Sequence, residues 1–457
     1  MAGKRTVHVF VLGDLTRSPR IATHARYLAD EGWSVTISGF SPSGDLSMAK
    51  RPLRVLPIQP CPDFRRFLYP PMLALILKLL VTSVILLWHL LRHCRSKVLL
   101  LQNPPAVPTF LLLWLFCQLS GKKLVVDWHN YGYTLLELST GRKGLSSRLY
   151  RWLELDFAGH FLKAGDVATS HFAHLCVSRA LQEHLKANGI LASVVYDRPP
   201  DEFKPTSSDS AHRLLSRLSS EYPQLGDPEG SLRRTRLTEI TALPATRGGS
   251  TPQWRPDRPA FVVSSCSWTP DDDFNLVVDA LDCYDKSAAI PHSFLPNILF
   301  AVTGRGPLRD HFAQLIESKQ WSHVEVIMPW LEWADYPVLL GCADLGISVH
   351  RSSSNLDLPM KIVDLFGVGV PVLALAYPAL VELMPEDQFG GMFTNSSDLA
   401  EQLIDLLHTR PKSATIGSPH LLTYRNNLKE VMTTTPRGHA YWRDVALPIF
   451  ENMIRPE

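Results

Sequence analysis

Short runs of β-branched and aliphatic residues alternate with longer amphipathic stretches along most of this chain. VHVFVLG (7–13) precedes the helical pattern IATHARYLADEG, which is followed by the strand-like VTISGF (35–40). VLLLQ, KLVVDWH and LCVS follow, the last leading into RALQEHLKANG, and SVVYD closes the series near Asp197. The alternation then breaks. Residues 205–258 are rich in Ser, Pro, Arg, Asp and Gly with little periodicity; most of the stretch predicts a flexible insertion, with one helix expected at AHRLLSRL. A second series starts at AFVVSSC (260–266) and runs through FNLVVDAL, ILFAVTG, LRDHFAQLIESK, VEVIMP, LGISVH and PVLALA. Strand and helix periods in alternation predict an α/β protein with parallel, doubly wound sheets. The expected organisation is a Rossmann-like domain over 1–204, the insertion over 205–258 and a second Rossmann-like domain over 259–425. A terminal segment, 426–457, containing the amphipathic AYWRDVALPIF, is expected to pack back on the first domain. Ligands of such sheets bind outside the carboxyl ends of the strands, here in a cleft between the two domains.

With 457 residues the chain has room for two such domains, and 45% hydrophobic against 20% charged residues is a globular composition. A net charge of +2, with no basic stripe interleaved with aromatics, argues against a nucleic-acid partner. Seven cysteines are scattered without CxxC spacing and read as reduced core residues in a cytosol-facing protein. HFAH (171–174) has a spacing that suits zinc but lacks a cysteine or acidic companion, so it reads as structural. The opening MAGKRTVHVFVLGD shows no secretory signal, because its apolar run ends at Gly13.

One apolar region exceeds what a core strand needs. Residues 71–91, PMLALILKLLVTSVILLWHLL, approach spanning length but contain Lys78 and His89; residues 107–119, VPTFLLLWLFCQL, are too short to cross. A single crossing would separate VHVFVLG from VLLL and KLVVDWH, which need each other to bury their faces. Two helices lying in a membrane interface fit the pattern better, and two very apolar core helices are the alternative.

The segment RSSSNLDLPMKIVDLFGVGVPV (351–372) concentrates chemistry at a loop-to-helix junction. Ser353, Ser354 and Asp357 precede a helix opened by Pro359, and Lys361 lies in its first turn. Amides and the positive end of a helix favour phosphate, and Lys361 adds a full charge. Asp364, three residues later, is placed to accept from ribose hydroxyls. The outline is a nucleotide-sugar pocket, although an ordinary βαβ connection has the same outline.

Other motifs follow predicted strands. In GDLTRSPR (13–20), Gly13 suits a tight turn, Arg17 and Arg20 suit a diphosphate, and Asp14 is a carboxylate at the cleft; one glycine falls short of a dinucleotide fingerprint. DWHNYGYT (127–134) brings Asp127, His129 and Asn130 to a strand end, with Tyr131 and Tyr133 available to stack on sugars. TGRGP offers Gly304, Arg305 and Gly306 to a diphosphate. TPDDDF contains a DxD triplet, read as a cap on the following helix in preference to a metal site.

Together with SSCSWTPDDDF (264–274) and PWLEWADYPVLLGCADLG (329–346), these motifs resemble the dolichol-pathway β-1,4-mannosyltransferase family over nearly the whole chain. The resemblance implies a GT-B fold without metal or other cofactor. It also implies transfer of mannose from GDP-mannose to GlcNAc2-diphosphodolichol, with inversion, on the cytosolic face of the endoplasmic reticulum membrane. Other glycosyltransferases of the same pathway are candidate partners. Family members often begin with a hydrophobic anchor that this chain lacks, so membrane attachment is expected to rest on 71–91 and 107–119. The family usually has Gly where Asn355 stands, a position that asks for a positive φ, and QFGGMF departs from its loop pattern. A one-step displacement needs a base on the acceptor side; Asp14 is the expected base and His129 the runner-up. Two rivals stay open: a GT-B transferase using another donor such as a UDP-sugar, and a non-catalytic membrane adaptor.

Overall fold

The computed structural model describes residues 5–15, 18–40, 53–62, 64, 71–163, 171–231, 233–242, 250–270, 272–409 and 416–454. They divide into two compact units, Met1–Asp197 with His439–Glu457, and Arg198–Gly438.

The first unit is built on seven parallel strands: β1 (Thr6–Asp14), β2 (Ser34–Phe40), β3 (Arg54–Pro57), β4 (Val98–Asn103), β5 (Lys123–Trp128), β6 (Phe172–Cys176) and β7 (Ser193–Val194). Their order, β3-β2-β1-β4-β5-β6-β7, reverses direction between β1 and β4. That switch point opens a crevice at the carboxyl ends of the strands. Val98–Leu101 and Leu124–Val126 are fully buried because the sheet is covered on both faces. Right-handed crossovers put helix Pro19–Asp30 on one face and helices Pro71–His93, Thr109–Ser120 and Gly132–Thr140 on the other.

The terminal helices Gly438–Val445 and Leu447–Ile454 complete the first of those faces. Trp442, Leu447, Phe450 and Met453 join Tyr27, Leu28 and Trp33 in one cluster, and Trp442 Nε1 donates to His24 Nδ1 at 2.7 Å. The returning segment starts at His439, not at 426 as expected. Helix Pro419–Thr434 belongs to the second unit, whose core takes Leu421 and Tyr424. The first boundary also moves, from 204 to Asp197, because Phe203 is buried in the second unit.

The expected flexible insertion is largely structured. Helix Ser208–Leu218 is capped by Ser207 and buries Ala211, Leu214, Leu215 and Leu218. Its apolar residues recur at the helical spacing that AHRLLSRL announced, and the helix begins three residues earlier. Strands β8 (Thr238–Ala242) and β9 (Ser250–Trp254) pair antiparallel; residues 243–249 lie outside the described residues.

The second unit repeats the winding with β10 (Ala260–Ser265), β11 (Ile298–Thr303), β12 (Val324–Ile327), β13 (Leu345–Ser348), β14 (Val372–Leu375) and β15 (Gly390–Phe393). The strands are parallel, in the order β12-β11-β10-β13-β14-β15, with the switch between β10 and β13.

The stretch Leu73–His93 is long and apolar enough to cross a membrane, yet only 22% of its most apolar window is buried. Leu80, Val84, Trp88 and Leu91 face outward, while Leu86 and Leu90 pack inward. His89 Nε2 lies 2.8 Å from Ser38 Oγ, which lies 2.8 Å from His8 Nε2, so the helix is tied to β2 and β1 by a buried polar chain.

Candidate active site

In the first unit the polar residues cluster at the ends of β1 and β5. Asp127, fully buried on β5, accepts from Arg20 Nε at 2.9 Å and Nη2 at 3.0 Å. Arg20 Nη1 also donates to Asp197 at 2.8 Å and to the Val195 carbonyl at 2.9 Å. Burial alone would raise the Asp127 carboxyl; Arg20, then His129 and His24, outweigh it and hold the group well below the usual carboxylate range. His129 Nε2 stands 2.7 Å from Asp127 Oδ2, with the ring partly exposed, and His24 Nε2 lies 3.2 Å from the same oxygen. Burial lowers the His24 pKa, and its Nδ1 accepts from Trp442, so it carries its proton on the nitrogen facing Asp127.

Several sequence expectations change here. Arg20 is spoken for by two carboxylates and is buried, so it fixes β5 and does not reach for a diphosphate. Asp127 is equally enclosed and positions His129. Asn130 Oδ1 accepts from the Tyr131 amide at 2.7 Å, holding the turn into helix Gly132–Thr140. Tyr131 is fully buried, with its hydroxyl 2.7 Å from His184 Nδ1, and cannot stack on a sugar; Tyr133, half-buried, is stacked on Tyr131. Gly13 continues β1 without a positive φ, so no tight turn depends on it. Asp14 ends β1, partly exposed, and Arg17 lies outside the described residues. β1 and β5 flank β4, so Asp14 and His129 sit on strands about 10 Å apart.

Glu154 is a residue the motifs did not reveal. It sits in the π-helical turn Trp152–Asp156 and accepts from Asn103 Nδ2 (2.8 Å), Gly132 N (2.9 Å) and Tyr133 N (3.2 Å). Burial outweighs those bonds and pushes its carboxyl up to about 7. A π-bulge at such a point was the only available signal, and it is a feature of backbone, not of sequence. His174 of HFAH accepts at Nδ1 from Trp128 Nε1 (3.1 Å) and donates from Nε2 to the Leu162 carbonyl (2.7 Å), which is a structural role.

In the second unit, helix Met360–Gly367 starts after Pro359 and places Lys361 in its first turn. Lys361 Nζ lies 2.9 Å from both oxygens of Asp272, whose side chain is 1% exposed. The Asp272 carboxylate also accepts from the Ser267 amide at 2.6 Å, and the Asp272 backbone pairs antiparallel with that of His350 beyond β13. The triplet expectation is thus corrected: helix Asn275–Ala288 has no side-chain cap, and Asp272 is instead the counter-ion of Lys361. Asp271 lies outside the described residues. Lys361 accordingly presents less unbalanced charge than the sequence suggested, though an ammonium has three N–H donors and two are used.

Asp357 is held by His350 Nε2 at 3.2 Å and by Ser352 Oγ. Burial would raise this carboxyl, but His350 and Ser352 outweigh it and lower the pKa. Ser354 Oγ accepts from the Leu356 amide, Ser353 is partly buried, and Asn355 has φ 60°, the positive value its place in the loop asked for. Asp364 accepts from the Tyr336 hydroxyl at 3.4 Å, and that hydroxyl is 2.8 Å from Ser265 Oγ. Gly304 (φ 131°) and Gly306 serve close packing: a Cβ on either would fall 1.9 Å from the Cys266 or Ser267 carbonyl oxygen. Arg305 is exposed, its guanidinium 3.6 Å from the ring centre of Trp330. Among the described residues no group of three or more His, Cys, Asp or Glu side chains is placed to hold a metal ion.

The geometry is that of two ligand crevices, one rich in imidazole and carboxylate, the other built on a helix start with a lysine. No family model matches the chain. Sucrose-phosphate synthase from Thermosynechococcus elongatus superposes with a TM-score of 0.64 at 11% identity, covering 98% of both chains. WaaG, a glycosyltransferase involved in lipopolysaccharide biosynthesis, gives 0.58 at 14%, covering 96% of this chain and 99% of that one. At such identities the likeness shows the fold alone, which is GT-B. In sequence, the chain is 35% identical over 470 residues to an Arabidopsis thaliana protein named UDP-glycosyltransferase TURAN, covering 98% of this chain and 97% of that protein. It is 37% identical over 460 residues to the chitobiosyldiphosphodolichol beta-mannosyltransferase of Homo sapiens, covering 97% of this chain and 92% of that protein. With similar identity to the mouse enzyme of the same name, these relationships place the chain in the chitobiosyldiphosphodolichol beta-mannosyltransferase family.

Proposed function

We propose that this protein transfers mannose from GDP-mannose to the terminal sugar of chitobiose linked through diphosphate to dolichol, with inversion, forming a β-1,4 bond. The observation that carries the reading is its 37% identity, over 97% of its length, to a protein named for transfer to that acceptor. The reaction would take place at the cytosolic face of the endoplasmic reticulum membrane, with Leu73–His93 and Thr109–Ser120 lying in the interface.

The first unit holds the acceptor and the second the donor. Negative charge develops on the departing diphosphate, and preorganised donors lower that barrier most. The start of helix Met360–Gly367, the third N–H of Lys361 and the exposed Arg305 supply such donors. Asp364 and the Ser353–Ser354 loop would orient the nucleoside. Acceptor O4 must lose its proton as the bond forms. Between Asp14 and His129, the contact with Asp127 favours His129: a carboxylate only accepts, so it fixes the proton on Nε2 and leaves Nδ1 as the basic nitrogen.

The Arabidopsis relative's name supports a second reading, in which the donor is a UDP-sugar. Incubation of the purified protein and a short-chain diphosphate-linked chitobiose with GDP-mannose or UDP-GlcNAc, separately, decides between them. Product from GDP-mannose alone is expected; product from UDP-GlcNAc alone would overturn the reading.

A further inference from the structure

Between Gly132 and Asp156 the chain turns several large apolar side chains outward while burying Leu155 beside polar groups. Helices Gly132–Thr140 and Leu145–Arg151 run into the turn Trp152–Asp156. A helix packed on a core normally buries its apolar stripe. Here the buried side chains include Ser147 and Glu154, whereas Leu145, Leu149 and Trp152, spaced i, i+4 and i+7, are 84%, 57% and 56% exposed. Leu135 and Leu138 are exposed as well. Arg142, Lys143, Arg148 and Arg151 lie among them, all exposed, and no carboxylate falls between Glu137 and Glu154.

The arrangement is firmly held. Glu154 ties the hairpin to Asn103 and to the amides of Gly132 and Tyr133, and the Ala106 amide donates to the Tyr150 hydroxyl at 3.2 Å. The apolar surface also continues onto its neighbour. Trp114 of helix Thr109–Ser120 packs on Phe161 and Phe157, with ring centres 5.1 and 6.0 Å away, while Leu111, Leu115 and Leu119 face outward.

We propose that the hairpin Gly132–Asp156 is a further membrane-inserting element, one that selects anionic headgroups. Leucines and a tryptophan facing out, interleaved with four cations, match a bilayer surface with acyl chains below and phosphates above. A protein partner's apolar patch would leave those cations unpaired. The hairpin starts three residues after His129, so its insertion sets the height of the candidate base above the headgroups. This inference rests on the reading that the acceptor is a membrane lipid.

Flotation of the full chain with phosphatidylcholine vesicles, with and without phosphatidylinositol, tests the charge. Each surface cation contributes about fivefold to binding, so R142Q/K143Q/R148Q should lose at least ~10-fold of the preference for anionic vesicles. Kinetics test the insertion. L145E/L149E should raise KM for acceptor embedded in vesicles by roughly 10-fold and leave KM for a water-soluble acceptor analogue within about twofold. Retention of both the anionic preference and the vesicle KM would overturn the proposal. So would sedimentation showing a wild-type dimer that L145E/L149E turns into monomer, since the patch would then cover a second copy. Should L145E/L149E fail to fold, the charge variant still decides, because its three positions are exposed. Absence of wild-type turnover on the soluble analogue would sink the functional reading instead, while flotation would still judge the hairpin.

Discussion

His129 and Asp127 form a dyad at the end of β5, with Nε2 2.7 Å from Oδ2. The carboxylate is held ionised by Arg20, and the imidazole is the member that reaches solvent. The pair therefore has the polarity of a base and its orienting group. On the proposed reaction Asp127 would act through His129, as a positioning residue.

Replacing His129 by Ala should lower kcat by at least ~100-fold with donor affinity retained, the usual scale of general-base catalysis. Asp14→Asn keeps shape and removes basicity, and turnover close to wild type is expected. Collapse in Asp14→Asn with near-normal turnover in His129→Ala would transfer the role to Asp14.

Lys361 is both the counter-ion of a buried carboxylate and a candidate diphosphate ligand, and the two roles separate experimentally. Lys361→Ala strands Asp272, at a cost of about 3 kcal/mol, reduced somewhat by solvent reaching the lysine. Lys361→Ala with Asp272→Asn should regain the thermal midpoint. Its kcat should stay ~30- to 1000-fold down, because the charge facing the leaving group is still missing. Recovery of turnover along with stability would reduce Lys361 to a structural lysine. Asp364→Ala should act mainly on donor affinity, since ribose contacts change little on the way to the transition state.

Two buried groups give opposite pH dependences. The folded state keeps the Glu154 proton up to about 7, far above the unfolded chain, so stability falls as pH rises from about 4.5 to 7, by on the order of 3 kcal/mol. His174, lowered to about 4 by burial, is protonated first in the unfolded chain, so its contribution is lost as pH falls from about 6.5 toward 4. Glu154→Gln removes the first effect alone. Thermal melts should show the variant gaining stability over wild type near pH 8, with the gain vanishing near pH 4. A gain independent of pH would contradict this account of Glu154.

The exposed face of helix Pro71–His93 should hold the protein on liposomes peripherally. Leu80→Glu with Leu87→Glu, both exposed, should weaken that attachment while activity on a water-soluble acceptor survives. A double variant extracted from membranes only by detergent would point to a true span.

The fold class was legible because a sheet covered on both faces writes unbroken apolar strands such as Val98–Leu101 between amphipathic helices. The positive φ at Asn355 was expected only through the family resemblance, in which Gly usually stands there, since few residues other than glycine tolerate it. Partnerships were not. Arg20 meets Asp127 across 107 residues and Lys361 meets Asp272 across 89, and no local pattern announces either. Both arginine and lysine looked available for a ligand because their counter-ions could not be seen. Tyr131 misled in the same way: an aromatic after a strand end reads as a stacking platform until the sheet buries it. Helix Ser208–Leu218 was legible in the leucine stripe of AHRLLSRL, but the strands Thr238–Ala242 and Ser250–Trp254 were hidden in a polar composition.

The most direct test of the central claim is NMR of the trisaccharide-lipid product formed from GDP-mannose, read for the anomeric configuration and linkage of the added sugar. An inverting displacement from the α-linked donor predicts a β-mannosyl residue on O4 of the terminal GlcNAc. An α-linked mannose, or no mannose transfer under conditions where another nucleotide sugar is consumed, would contradict it.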